Sequence, residues 1–106
     1  MIKEITVTEL KNKFDNNEDF MLLDVRNIQE VLYSKIEKSI HIPMNEIQER
    51  INELDSNKEI IIQCKSGKRS ARVCEYLMTQ NFNNVKNLSG GIIAWADEID
   101  NSIHVY

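Results

Sequence analysis

The 106-residue chain is poor in the residues that staple or interrupt small proteins: it has two cysteines, one proline and three glycines. Two cysteines cannot build a disulfide framework, which points to a reducing compartment. No Pro-, Gly- or Ser-rich stretch and no internal repeat marks a linker, so residues 1–106 are expected to form one domain. No apolar run approaches the roughly 20 residues needed to cross a bilayer. The opening Met1-Ile2-Lys3-Glu4-Ile5-Thr6 has no apolar stretch of the secretory kind. Together these absences predict a soluble, cytoplasmic protein with no membrane partner. Positive charge is also in short supply, the net charge being −4, which argues against a nucleic-acid partner. His41 and His104 are the only histidines and neither has a second ligand at metal spacing. No metal site is predicted, and no cofactor.

What the chain does contain is short apolar runs alternating with amphipathic segments, the pattern of a sheet with helices packed on it. Strands are expected over residues 5–7, over 20–23 ending at Asp24, over 59–63 and over 85–88; Ile40-His41-Ile42 is brief and Pro43 ends it. Thr8 is read as the cap of a first helix carrying Leu10 and Phe14 on one face. A short helix over 27–33 would turn Ile28, Val31 and Leu32 inward. The spacing of Ile47, Ile51 and Leu54, with Asn45 and Gln48 at capping-box separation and Glu46 and Arg50 at i, i+4, predicts a continuous helix over 45–54. Residues 69–80 form another, with Ala71, Cys74, Leu77 and Met78 on one face, and a last helix follows Ser89-Gly90-Gly91 and carries Ile92, Ile93 and Trp95. The fold class is therefore α/β, in three layers.

One short stretch runs against the acidic composition: Cys64-Lys65-Ser66-Gly67-Lys68-Arg69-Ser70 gathers three cations and two hydroxyls around a thiol. It joins a strand to a helix, and such loops lie at the carboxyl edge of a sheet where ligands commonly bind. Gly67 permits a positive φ, so successive N–H groups can turn inward as an anion nest. The helix start adds unpaired N–H groups and the positive end of the dipole. A thiol held there ionises readily, and the same field stabilises a persulfide anion. Cations at a helix N-terminus are unfavourable without an anion to offset them, so an anionic ligand is expected. Residue 64 is expected to open to solvent, because the ligand must reach it. Cys74 lies on an apolar face and is read as core. Asp24 and Arg26 are read as a structural pair at a strand end, Arg72 as a solvent-facing residue.

The loop resembles the active-site loop of single-domain rhodaneses, Cys-x-x-Gly-x-Arg-Ser. Two further segments agree with that family. Leu22-Leu23-Asp24-Val25-Arg26 followed by Glu30 is similar to its Leu-Asp-Val-Arg-x-x-x-Glu signature. Asn87-Leu88-Ser89-Gly90-Gly91-Ile92-Ile93-Ala94-Trp95 is similar to its Leu-x-Gly-Gly-x-x-x-Trp closing motif. The resemblance implies a five-stranded, mainly parallel sheet flanked by helices. It implies transfer of sulfane sulfur from thiosulfate or a similar small anionic donor through a persulfide on a catalytic Cys64. Lys65, Ser66, Gly67, Lys68, Arg69 and Ser70 would bind the substrate, and a small thiol or a protein would accept the sulfur. One stretch departs: Ser34-Lys35-Ile36-Glu37-Lys38-Ser39 stands where the family carries a Gly-His-Ile-Pro-Gly-Ala-like run.

Two other functions fit an anion-cradling cysteine. Cysteine phosphatases and arsenate reductases place five residues between cysteine and arginine; here there are four, making a smaller cradle, and Gln63 stands where phosphatases often have histidine. A persulfide carrier or regulatory binding module with little small-molecule turnover is the other, and the altered 34–39 stretch motivates it.

Overall fold

The computed structural model describes residues 1–106. Five strands form one sheet in the order β1-β5-β4-β2-β3, and every neighbouring pair is parallel. β1 is Lys3–Ile5, β2 Phe20–Asp24, β3 Ile40–His41, β4 Glu59–Gln63 and β5 Val85–Leu88. β4 lies at the centre, and Ile60, Ile61 and Ile62 in it are fully buried. Both of its faces are covered, as the unbroken apolar run requires.

Alternation along the strands sorts the core into two clusters. Ile60 and Ile62 point to one face with Leu23, where Ile47 of α3 (Ile47–Arg50) and Val73, Cys74 and Leu77 of α4 (Lys68–Thr79) cover them. Ile61 points to the other with Leu22 and Leu88, under Leu10 of α1 (Val7–Asp15) and Ile92 and Trp95 of α5 (Gly91–Glu98). The three layers are thus α3/α4, sheet, α1/α5. Burying each of these aliphatic side chains contributes about 1.5–3 kcal/mol.

Six local readings are corrected. α1 is capped by Thr6, not Thr8: the Thr6 hydroxyl accepts from Glu9 N–H and the Glu9 carboxylate accepts from Thr6 N–H, a complete capping box. β1 accordingly begins at Lys3 and stops at Ile5. In α2 (Ile28–Tyr33), Ile28 and Leu32 point outward, at 47% and 78% exposure, and Glu30 is buried instead. Asn27 caps this helix with Glu30 as its box partner, and Arg26 holds the far end through the Ser34 carbonyl at 2.8 Å. That tethering turns the Glu30 face inward.

The expected helix over 45–54 breaks into a 3-10 turn at Met44–Glu46, the single turn of α3, and a second 3-10 turn at Ile51–Glu53. Asn45 caps nothing. Arg50 bonds Glu46 at i−4 and Glu53 at i+3, and the second spacing suits the tighter winding. Met78 of α4 is 41% exposed; Val73 takes its expected place in the core.

Candidate active site

β4 ends at Gln63 and hands the chain to Cys64 at the middle of the sheet's carboxyl edge. Gly67 follows with φ +106° and immediately precedes α4. That left-handed turn folds the loop back over the sulfur. Gly67 N–H donates to Cys64 Sγ at 3.1 Å, Ser70 N–H lies at 3.4 Å and the Ser70 hydroxyl at 3.3 Å. Residues 64–70 are thus wound around their own thiol.

Three other peptides of the loop are oriented by bonds to their carbonyls from outside it. The Cys64 and Lys65 carbonyls accept from Ile92 and Ile93 N–H, at 2.9 and 3.2 Å, at the start of α5. The Gly67 carbonyl accepts from the Asn87 side chain of β5 at 3.1 Å. In a trans peptide the C=O and the next N–H are antiparallel. Lys65 and Ser66 N–H therefore point away from α5, and Lys68 N–H away from Asn87. Gly91 permits the close packing: a Cβ there would stand 2.4 Å from the Cys64 carbonyl oxygen and 2.5 Å from that of Lys65.

Two opposing effects act on the Cys64 thiol. Burial pushes its pKa up; hydrogen bonds from the Ser70 hydroxyl and the N–H groups of Ser70, Gly67 and Ser66 pull it down, and their sum leaves it below the ordinary thiol value. Cys74 has burial without such donors, and its pKa is pushed up to about 12. It sits in the core, as read.

The loop's cations divide. The Arg69 guanidinium turns to α2 and bonds both oxygens of Glu30, at 2.7 and 3.0 Å. Its charge is answered inside the protein. Lys65 and Lys68 make no ion pair, and neither does exposed Arg72. The expectation of an open sulfur is not met: Cys64 is 1% exposed. The loop that supplies the amides also closes over the atom they hold.

Asp24 and Arg26 form a fully buried ion pair, with Arg26 Nη2 2.8 Å from Asp24 Oδ2 and Nε 3.0 Å from Oδ1. The pair ties β2 to α2 and is structural. His41 Nε2 lies 2.6 Å from the Arg26 carbonyl oxygen. The buried Gln63 amide has no hydrogen-bond partner within the protein.

Three residues that shape the site escaped the sequence reading: Glu30, Asn87 and Glu4. Glu30 was visible only as a motif letter. Asn87 had a physical signal, a polar side chain on an inward position of a short strand. Glu4, whose carboxylate accepts from Asn87 Nδ2 at 3.1 Å and Ser89 Oγ at 2.6 Å, had none.

With this geometry in place, comparison with known proteins gives a consistent result. The model for the rhodanese-like domain matches residues 6–98. YtwF of Bacillus subtilis, described provisionally as a sulfurtransferase, is 43% identical over 97 residues, covering 92% of this chain and 93% of the relative. A sulfurtransferase of Allochromatium vinosum is 38% identical over 96 residues, covering 91% and 90%. The crystal structure of a rhodanese-like domain protein from Staphylococcus aureus superposes with a TM-score of 0.86 at 34% identity, over 99% of both chains. A match over most of the chain, by sequence and by fold, establishes that this protein belongs to the rhodanese-like domain family.

Proposed function

We propose that this protein is a sulfurtransferase that carries a sulfane sulfur on Cys64, taking it from thiosulfate or a similar small anionic donor. The observation that carries the reading is the ring of loop N–H and hydroxyl groups around one thiol. Gly67 and Ser70 N–H and the Ser70 hydroxyl lie within 3.4 Å of Sγ, and unpaired Lys65 and Lys68 stand in the same loop. Family relatives named as sulfurtransferases support the reaction class.

The chemistry follows in two displacements. The Cys64 thiolate attacks the outer sulfur of thiosulfate; the S–S bond of the donor breaks and sulfite leaves with its electron pair. The persulfide left on Cys64 carries its negative charge on the terminal sulfur, where inward amides and the α4 dipole stabilise it. A thiophilic acceptor then attacks that terminal sulfur, and Cys64 Sγ departs as a thiolate to the same donors that first favoured it.

The test is intact mass after incubating reduced protein with thiosulfate, followed by cyanide. One labile sulfur on Cys64, released as thiocyanate and absent in Cys64→Ser, is expected. An unchanged mass with no thiocyanate overturns the reading.

The closed state of Cys64, 1% exposed, favours one variant of this reading: a carrier that shields its persulfide and releases it to a partner that opens the loop. Such a carrier discharges faster to a protein thiol than to cyanide; equal rates exclude it. Phosphoryl chemistry is disfavoured by the loop's length, because only four residues separate Cys64 from Arg69 and the cradle is smaller than a phosphatase loop of five. Aryl phosphate hydrolysis lost in Cys64→Ser would reverse that judgement.

A further inference from the structure

Asn87 is 4% exposed and every polar atom of its side chain is bonded. Nδ2 donates to the Gly67 carbonyl and to Glu4 Oε2, both at 3.1 Å. Oδ1 accepts from the Ser70 hydroxyl. The first two partners are pure acceptors, so the amide nitrogen must face them and the oxygen must face Ser70. The Ser70 hydroxyl has one proton and two claimants, Asn87 Oδ1 and Cys64 Sγ at 3.3 Å. An amide oxygen cannot donate, so the short Ser70–Asn87 contact must use the Ser70 proton. What Ser70 then presents to the sulfur is a lone pair, able to accept from a thiol and unable to donate to a thiolate.

We propose that Asn87 is a positioning residue of the Cys64 site: by drawing the Ser70 proton it holds the resting sulfur as a thiol, so that ionisation requires the Ser70 hydroxyl to turn from Asn87 to Cys64. When the S–H proton leaves to solvent base, the Ser70 O–H bond only rotates. Asn87 Oδ1 is then left without its donor, a buried loss that opposes ionisation. The Gly67 and Ser70 N–H groups favour ionisation, and Asn87 sets how far they prevail. Asn87 also anchors the loop at both ends, at Gly67 and at Ser70. The other charge acting on the sulfur is Arg69 on α4, paired with Glu30 of α2; the mutually paired Asp24 and Arg26 at the end of β2 lie beyond it. Lys65 and Lys68 lie in the loop, and Glu4 of β1 stands behind Asn87.

The inference rests on Cys64 being the reactive sulfur of the proposed function, but its readout needs no sulfur transfer, so the two can fail separately. The experiment is the pH profile of Cys64 alkylation by iodoacetamide in the full chain, followed on the Cys64 peptide. Asn87→Leu frees the Ser70 proton for the sulfur and is expected to lower the midpoint by about one pH unit, roughly a tenfold gain in thiolate at a given pH. Ser70→Ala removes that donor and raises the midpoint. In the Ser70→Ala background the Asn87 change should have no further effect. A merely structural Asn87 would act oppositely: loosening the loop costs the sulfur its amide donors, raising the midpoint in both backgrounds. That result, or no shift, overturns the proposal. Asn87→Val, a better strand former, takes the place of Asn87→Leu should the latter lose its circular dichroism. Raman spectroscopy of the unaltered protein gives an independent check: the Cys64 S–H band should lie at the hydrogen-bonded position and move to the free position in Ser70→Ala. A free band in the unaltered protein also overturns the proposal.

Discussion

Arg69 of α4 and Glu30 of α2 meet through two N–H···O contacts of 2.7 and 3.0 Å, with the Glu30 side chain 7% exposed and that of Arg69 31%. The pair joins the helix that begins at the sulfur to the helix that closes the neighbouring edge. Glu30 also accepts from Asn27 N–H at 3.2 Å. One carboxylate thus starts α2 and holds α4.

Replacing Glu30 by Gln should lower stability by about 1–2 kcal/mol, because it removes charge from a partly buried bidentate pair. Hydrogen bonding from Arg69 holds the Glu30 carboxyl below the ordinary value of 4.5, outweighing its burial. The stabilisation is therefore complete above that ordinary value and lost as pH falls through the lower folded one. Urea denaturation of the two proteins across this acid range should show the difference between them shrinking as pH falls. A constant difference would count against the pair.

The lowered pKa of Cys64 makes its own pH prediction. Burial raises it, and the Ser70 and loop donors more than offset that. Alkylation of folded protein should therefore reach its midpoint below the value of the same residue in denaturant. Because the folded pKa is the lower one, the thiolate's contribution to stability is complete above the unfolded pKa and lost as pH falls through the folded one. Coincident midpoints in the folded and denatured states would remove the electrostatic account of the loop.

Gly91 should tolerate no side chain. An alanine Cβ would meet two backbone carbonyl oxygens at 2.4 and 2.5 Å, neither free to move without pulling the Cys64 loop. Gly91→Ala is expected to cost about 2–4 kcal/mol, and to raise the Cys64 alkylation midpoint by turning the loop amides. Gly67→Ala meets nothing closer than 3.5 Å, so its cost is the left-handed φ alone, about 1–2 kcal/mol. Thermal unfolding of both variants checks the order; equal losses contradict it.

Lys38 has φ +68°, in a turn where Ser39 N–H and hydroxyl both bond the Ile36 carbonyl. The family resemblance puts glycine at this position. Lys38→Gly should raise stability by about 0.5–1 kcal/mol, relief of the Cβ strain exceeding the entropy that glycine adds to the unfolded chain. Denaturant midpoints measure it, and a destabilised variant would show that the lysine side chain makes a compensating contact.

The strands Glu59–Gln63 and Val85–Leu88 were legible to the residue, because Ile60-Ile61-Ile62 can only be a strand buried on both faces. The Cys64 loop was legible because its charge contradicts the rest of the chain. Elements whose position depends on long-range bonds were not. Periodicity put Ile28 and Leu32 inward, whereas Arg26 and Arg69, far apart in sequence, rotate α2 to bury Glu30. A helical period over 45–54 survives only as one α-turn between two 3-10 turns. The Ser70–Asn87 contact spans 17 residues and two elements. No window around Cys64 contains it.

Cys74 shares α4 with the loop that embraces Cys64, yet it is fully buried and its thiol is pushed up to about 12. Cys64 is closed in as well, at 1% exposure, but its lowered pKa and its place in a loop let it answer reagents first, whereas Cys74 answers only when α4 comes off the sheet. A native-to-denatured thiol count rising from one to two turns Cys74 into a built-in gauge of helix docking. Cys64 variants can be screened by that gauge, separating lost chemistry from lost structure.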